Sequence, residues 1–265
     1  MKVKACIFDL GGTIVDRYSI TPLKSLIETF KRHNINIRND LIFKDMGIDK
    51  KFHIANILED KYVYRNWFQK YKRNPDYGDV LKLHQIFKNI QVKKSHKIDI
   101  IPETYGIFEY LKKNDIKIGC TTGFDKNNAD IIGDVLNNNI CKLDNIVSST
   151  CVEKSRPHSD MIHKNMIELG IVDPRTIIKI DDTNIGIKEG KNAGLWTVGV
   201  ARWSTYMNVL PENYNNMNDI VIRERLEKSK EKLKQSQPDF IIETLDELPN
   251  VIETINIHNS NMMHF

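Results

Sequence analysis

Cysteine is scarce and unpatterned in this chain. Its four cysteines, Cys6, Cys120, Cys141 and Cys151, form no C-x-x-C pair and have no nearby histidine to complete a zinc pattern. A disulfide framework or a zinc module is therefore excluded, and a reducing, cytoplasmic location is expected. Cys6 and Cys120 fall inside apolar runs and are expected to be packing residues. No apolar stretch approaches the ~20 residues needed to span a bilayer. The first apolar run is short and ends on an aspartate, unlike a signal peptide. One-sided charge is missing too: the formal net charge is +4, which argues against a nucleic-acid partner and offers only weak attraction for a small anion.

What is present is an ordinary globular composition, 40% hydrophobic and 28% charged over 265 residues, enough for one large domain or for one domain with a smaller companion. Lys2 to Leu10 is almost continuously apolar and predicts a buried strand, broken by Gly11-Gly12-Thr13. Thr21-Pro22 predicts a helix start with Thr as its cap. From Asn39 to Lys97 the pattern is helical and polar. Beyond Ile100, helices over 104–114, 127–138, 159–169 and 185–193 alternate with strands over 116–120, 145–149, 176–180 and 196–200. Alternation of this kind predicts a doubly wound parallel α/β sheet. The helical block between the first strand and the rest then reads as an inserted α-helical cap. The expected division is a core of residues 1–20 and 100–265 around a cap of 21–99.

Ligands of open α/β sheets sit at the carboxyl ends of the strands, and these strand ends are polar. The first ends in Asp9-Leu10-Gly11-Gly12-Thr13 and the second in Thr121-Thr122-Gly123. The loop after the third holds Lys154, Ser155 and Arg156, and the fourth ends in Asp181-Asp182-Thr183. Any one of these alone is compatible with a cap, a turn or plain surface. Together they assemble carboxylates, a hydroxyl and a cation, which suits magnesium and a phosphoryl group: magnesium takes oxygen ligands, the cation and hydroxyl neutralise phosphoryl oxygens, and a carboxylate can attack phosphorus.

In the helical block, Met46, Lys50 and His53 stand at i, i+4 and i+7, which places them on one face of a helix. A neutral lysine in a dry pocket can form a Schiff base with a carbonyl. A snorkelling lysine beside an incidental histidine fits the spacing equally well. Two charge-rich stretches have simpler readings. Lys61 to Arg73, where aromatics alternate with basic residues, is expected to be a cap helix or dimer contact rather than an RNA surface. Arg223 to Lys234 is expected to be a solvated helix on the core.

The order D-x-x-G-T, strand-end T-G, a basic residue and then D-D resembles the four motifs of the haloacid dehalogenase superfamily. Met46-Gly47-x-x-Lys50-x-x-His53 narrows the resemblance to the phosphonatase family, the phosphonoacetaldehyde hydrolases. Stretches such as Ile118 to Gly123, Arg156-Pro157, Glu189 to Gly194 and Trp196 to Val200 are similar to that family as well, from about Lys2 to Ile255. The resemblance implies a magnesium-dependent C–P bond hydrolase acting on a small phosphonate, and a homodimer. Asp9 would be the nucleophile and Lys50 the Schiff-base lysine. His53 would serve imine formation, and Met46 would pack beside the imine. Thr122, Gly123 and Arg156 would hold the phosphoryl group. Asp9, Gly11 (through its carbonyl), Asp182 and Asp181 would surround the metal.

There are four departures from the family patterns. Gly11 stands where superfamily phosphatases carry an acid. Phe124 replaces a frequent Tyr, Gly186 replaces an Asp, and Arg17-Tyr18 replace Phe-Gly near the cap hinge. These leave two alternatives in view: a phosphatase acting on another ester or phosphonate, which would not need Lys50, and a non-catalytic phosphate-binding descendant.

Overall fold

The computed structural model describes residues 1–265 except Gly47, 211–212, 214–215 and 262–265. Six parallel strands form one sheet: β1 (Ala5–Phe8), β2 (Lys117–Thr122), β3 (Asn145–Ser148), β4 (Ile177–Asp181), β5 (Trp196–Val200) and β6 (Phe240–Ile242), in the order β3-β2-β1-β4-β5-β6. The chain winds outward from β1 in one direction and then, starting from β4, in the other. The switch point therefore lies between β1 and β4, where the carboxyl ends leave a crevice. Every residue of β1 and β4 is buried, as expected of strands covered on both faces.

On one face, Phe8, Cys6 and Ile118 pack with α6 (Glu103–Lys113), α7 (Lys126–Asn139) and α11 (Leu248–Asn261). On the other face Ala5, Ile7 and Ile177 pack with α8 (Asp160–Leu169). The charge-rich α10 (Asp219–Lys234) buries Leu226 and Leu233, in line with its amphipathic pattern. β6 carries no strong signal in the sequence, because three residues are too few to show a period; α11 was missed although Leu248, Val251, Ile252 and Ile255 stand at helical spacing.

Among the described residues, five α-helices lie between β1 and α6: α1 (Ile20–Lys31), α2 (Asn39–Lys44), α3 (Lys50–Glu59), α4 (Lys61–Tyr71) and α5 (Tyr77–Ser95). They share a separate core around Leu26, Phe30, Ile54, Ile57, Trp67 and Leu83. In α4 the aromatic run divides: Val63 and Trp67 are buried, while Tyr62 and Phe68 face outward. The cap rests on α7 through a Lys88–Asp125 ion pair at 3.1 Å and a Ser95–Asn128 hydrogen bond at 3.0 Å.

The two chain crossings into the cap are tied together, with the Asp16 N–H donating to the Asp99 carbonyl at 2.7 Å. Asp16, Tyr18 and Ser19 all adopt left-handed backbone, at φ 56°, 63° and 51°, which is costly for side-chain-bearing residues. Tyr18 accepts this conformation where a Gly was expected, and its ring packs 5.6 Å from Trp203. The expected Thr21 cap is corrected here. Helix α1 begins at Ile20, and the Asp16 carboxylate accepts hydrogen bonds from the Thr21 N–H at 3.0 Å and the Thr21 hydroxyl at 2.8 Å. Left-handed turns at 16–19 swing Asp16 into the capping position.

Burial pushes the Asp16 carboxyl up to about 7, with the Thr21 hydrogen bonds opposing. Because this acid's folded pKa lies above its unfolded value near ~4, the native state binds the extra proton. Its stabilisation is full below pH ~4 and is lost as pH rises through about 7. Asp16→Asn is expected to flatten that decline by at least about 1 kcal/mol, measured by urea unfolding across the window.

Candidate active site

Asp9 sits one residue past β1, its N–H donating to the Ile180 carbonyl of β4 at 2.9 Å. One cavity is lined by Asp9, Gly11, Met46, Lys50, Thr122, Gly123 and Arg156. Core strand ends and cap residues, distant in sequence, thus meet at the crevice. Ser19, Pro22, Ile48, Phe124 and Thr183 also line it; nothing in the sequence marked the first three.

Two sequence-derived placements change. Met46 does not share a helix face with Lys50, because α3 begins at Lys50, where Asp49 caps it by accepting from the Lys51 N–H at 2.9 Å. Met46 lies in the preceding turn and reaches the cavity from there; Gly47 of the same motif lies outside the described residues. His53 does not line the cavity. It is buried behind Lys50, with Nδ1 3.4 Å from the lysine Nζ.

Lys50 is 7% exposed. Burial lowers its ammonium to about 8, with Asp49, Asp45 and Asp9 pulling the other way. Its place in the first turn of α3 disfavours the cation further, because the helix dipole is positive there. Burial, followed by the charge of Lys50, pushes His53 down to about 2, so its ring is neutral across the physiological range.

Behind the cavity, oxygens of Asp9, Asp181 and Asp182 lie within 4.8 Å of one another, all three residues buried. Burial pushes Asp9 up to about 6, against the pull of Arg156. Asp182 is driven well above the carboxylate range, first by burial and then by the charges of Asp9 and Asp181. Asp181 is different: burial would raise it, but Lys179 and Arg156 hold it low. Such crowding of buried carboxylates opposes itself unless a cation joins it. The donor set is oxygen only, which suits a hard divalent ion.

The space around Gly186 is already filled. A Cβ there would meet Asp181 Oδ2 at 1.8 Å. Gly12, at φ +79°, is also tight, its Cβ position lying 2.5 Å from Asp182 Oδ2. The Asp181 carboxylate thus occupies the space that a side chain at 186 would enter.

Arg156, 8% exposed, contacts Asp9 at 2.8 Å through Nη2 and Glu189 at 2.9 Å through Nε. Lys179, fully buried, contacts Asp181 at 2.9 Å. It was missed in the sequence, although a charge in a strand buried on both faces is itself a signal. Glu189 meets Arg156 and Thr121.

A family model described as haloacid dehalogenase-like hydrolase matches residues 6–200. Phosphonoacetaldehyde hydrolase of Bacillus cereus is 31% identical over 259 residues, covering 96% of this chain and 97% of that protein. The protein of the same name from Bacillus mycoides (strain KBAB4) is 32% identical over 259 residues, with the same coverage. The crystal structure of a phosphonoacetaldehyde hydrolase-like protein from Oleispira antarctica superposes with a TM-score of 0.91 at 26% identity, covering 97% of this chain and 93% of that one. β-Phosphoglucomutase from Clostridium difficile shares the fold, with a TM-score of 0.62 at 23% identity over 85% of this chain and 98% of that one.

Proposed function

The chain belongs to the haloacid dehalogenase-like hydrolase family, and on that premise we propose that it hydrolyses the phosphorus–carbon bond of phosphonoacetaldehyde to acetaldehyde and phosphate. One observation carries this choice of substrate: a buried amine with a lowered pKa, Lys50, lines the same cavity as the carboxylate Asp9 and the guanidinium Arg156. Ester hydrolysis has no use for such an amine.

Neutral Lys50 condenses with the aldehyde, losing water to give an imine that is then protonated. The Asp9 carboxylate attacks phosphorus in line while the P–C bond breaks, and the bonding pair moves into the iminium to give an enamine. Protonation at carbon restores the iminium. Water then frees acetaldehyde and Lys50, and a second water hydrolyses the aspartyl phosphate. Gly11 fits this chemistry, because the imine, rather than an acid at that position, accepts the leaving electrons. Arg156, Thr122 and Gly123 hold the phosphonate oxygens, Met46 packs beside the imine, and neutral His53 serves imine formation by accepting a hydrogen bond from Lys50 Nζ and orienting the amine.

Magnesium is the cation we propose for the carboxylate cluster, held by Asp9, Asp181, Asp182 and the Gly11 carbonyl. When bound, it neutralises charge at the phosphoryl centre. The division into a core of residues 1–20 and 100–265 and a cap of 21–99 belongs to the same proposal, the cap keeping water from Lys50. So do homodimerisation, which sedimentation would read, and a cytoplasmic location.

With magnesium, phosphonoacetaldehyde should yield acetaldehyde and phosphate in equal amounts. Asp9→Asn should lower turnover by on the order of 10⁴-fold or more. Phosphate release from esters, with phosphonoacetaldehyde left intact, would overturn the assignment.

A further inference from the structure

Thr121 Oγ1 is fully used. A hydroxyl has one proton and two lone pairs. Here it donates to Glu189 Oε2 at 3.0 Å and accepts from Arg156 Nη2 and Lys179 Nζ, both at 2.9 Å. All four residues are buried, and none of Thr121, Lys179 and Glu189 lines the cavity. They come from three elements: Thr121 from β2, Lys179 from β4 and Glu189 from α9 (Asn184–Asn192). The neighbouring Gly190 makes room for the arrangement, since a Cβ there would lie 2.7 Å from Lys179 Cβ.

We infer that Glu189 and Lys179 are positioning residues which, through Thr121, fix the Arg156 guanidinium against Asp9. An ion pair serving stability alone would close on itself, yet Lys179 and Glu189 stand 3.7 Å apart. Each makes its short contact elsewhere. Lys179 reaches Asp181 at 2.9 Å, and Glu189 reaches Arg156 Nε at 2.9 Å. Arg156 is then held along one edge, with Nε on Glu189 and Nη2 on the Thr121 carbonyl, the Thr121 hydroxyl and Asp9. Its Nη1 has no partner among the described residues, which leaves it available to a phosphoryl oxygen.

A planar guanidinium fixed along one edge presents the other in a single orientation. Without the Glu189 contact, Arg156 keeps its charge but loses its direction, and preorganised charge is what stabilises a transition state. The inference rests on the proposed roles of Asp9 and Arg156 but not on the choice of substrate.

The test is a double-mutant cycle between Glu189→Gln and Arg156→Lys. It is read both on phosphonoacetaldehyde turnover and, by calorimetry, on binding of orthovanadate with magnesium. Glu189→Gln alone should lower kcat at least ~10-fold with less effect on KM, and weaken orthovanadate by a similar factor; in the Arg156→Lys background the further change should stay under ~3-fold. Should Glu189→Gln not fold, Thr121→Val takes its place, with Thr121→Ser as the conservative rescue. Losses that multiply across the cycle, or a folded Glu189→Gln protein matching the parent, would overturn the inference. Orthovanadate binding that follows the cycle in a protein inert toward phosphonoacetaldehyde would refute the substrate and keep the positioning role. If the parent neither binds nor turns over, both fall.

Discussion

Borohydride added to the protein with phosphonoacetaldehyde, in the absence of magnesium, is expected to leave a reduced adduct on Lys50 that mass spectrometry can map. Omitting the metal should slow P–C cleavage and let the imine accumulate. Lys50→Arg keeps the charge but cannot form the imine, so it should show no adduct and lose at least ~10³-fold in turnover. The pH dependence follows from the lowered amine. The nucleophile is the neutral form, and burial brings the ammonium down to about 8. Imine formation should therefore climb as pH rises through about 8 and level off above it. An exposed lysine would reach that plateau only beyond ~10. His53, pushed down to about 2 by burial and the neighbouring Lys50, should add no inflection between these limits. An intact, folded protein that yields no adduct would remove Lys50 from the chemistry and leave a hydrolase of some other phosphorylated substrate.

Gly186→Ala is the second large effect. Helix propensity alone favours Ala over Gly by about 1 kcal/mol, and position 186 lies in the first turn of α9, where the Thr183 hydroxyl accepts from its N–H. Packing decides otherwise. The new Cβ would fall 1.8 Å from an Asp181 oxygen in a cluster with no room to shift. Overpacking of this kind costs about 1–3 kcal/mol, so a net loss of stability is expected. Displacing Asp181 from the carboxylate cluster should also lower magnesium-dependent turnover at least ~10²-fold.

The reciprocal change exposes the same logic. Asp181→Gly leaves the buried Lys179 without its closest carboxylate, and breaking a buried pair costs about 3–5 kcal/mol. The double exchange Asp181→Gly with Gly186→Asp returns a carboxylate to the same space from the other element. It should therefore be more stable and more active than Asp181→Gly alone. Chemical denaturation and phosphate release check both expectations, and a Gly186→Ala protein as stable and active as the parent would refute the packing argument.

The parallel sheet and the inserted helical block were legible because they rest on repeated local signals. Apolar strand runs such as Ile116 to Cys120 and Trp196 to Val200 alternate with helical periods, and the first four strands lead into polar residues that serve little purpose inside a core. The three-residue β6, too short to show such a period, went unseen. So did the side-chain caps whose geometry depends on neighbours: Asp16 reaches Thr21 only because three residues before α1 turn left-handed. The spacing of Met46, Lys50 and His53 pointed to the right neighbourhood for the wrong reason. A capped helix start at Asp49 separates Met46 from the others, and only Met46 and Lys50 meet at the cavity.

By itself, then, the sequence determined the fold class, the four polar strand ends and the presence of a candidate amine, because period and residue type are local properties. Tertiary structure alone decided three other matters. It put Lys50 from the cap beside Asp9 from the core. It placed Glu189 against Arg156. It filled the space at Gly186 with Asp181. Each depends on side chains from separate elements converging within a few ångströms, and the burial and charge that set their chemistry exist only once the chain has closed around them.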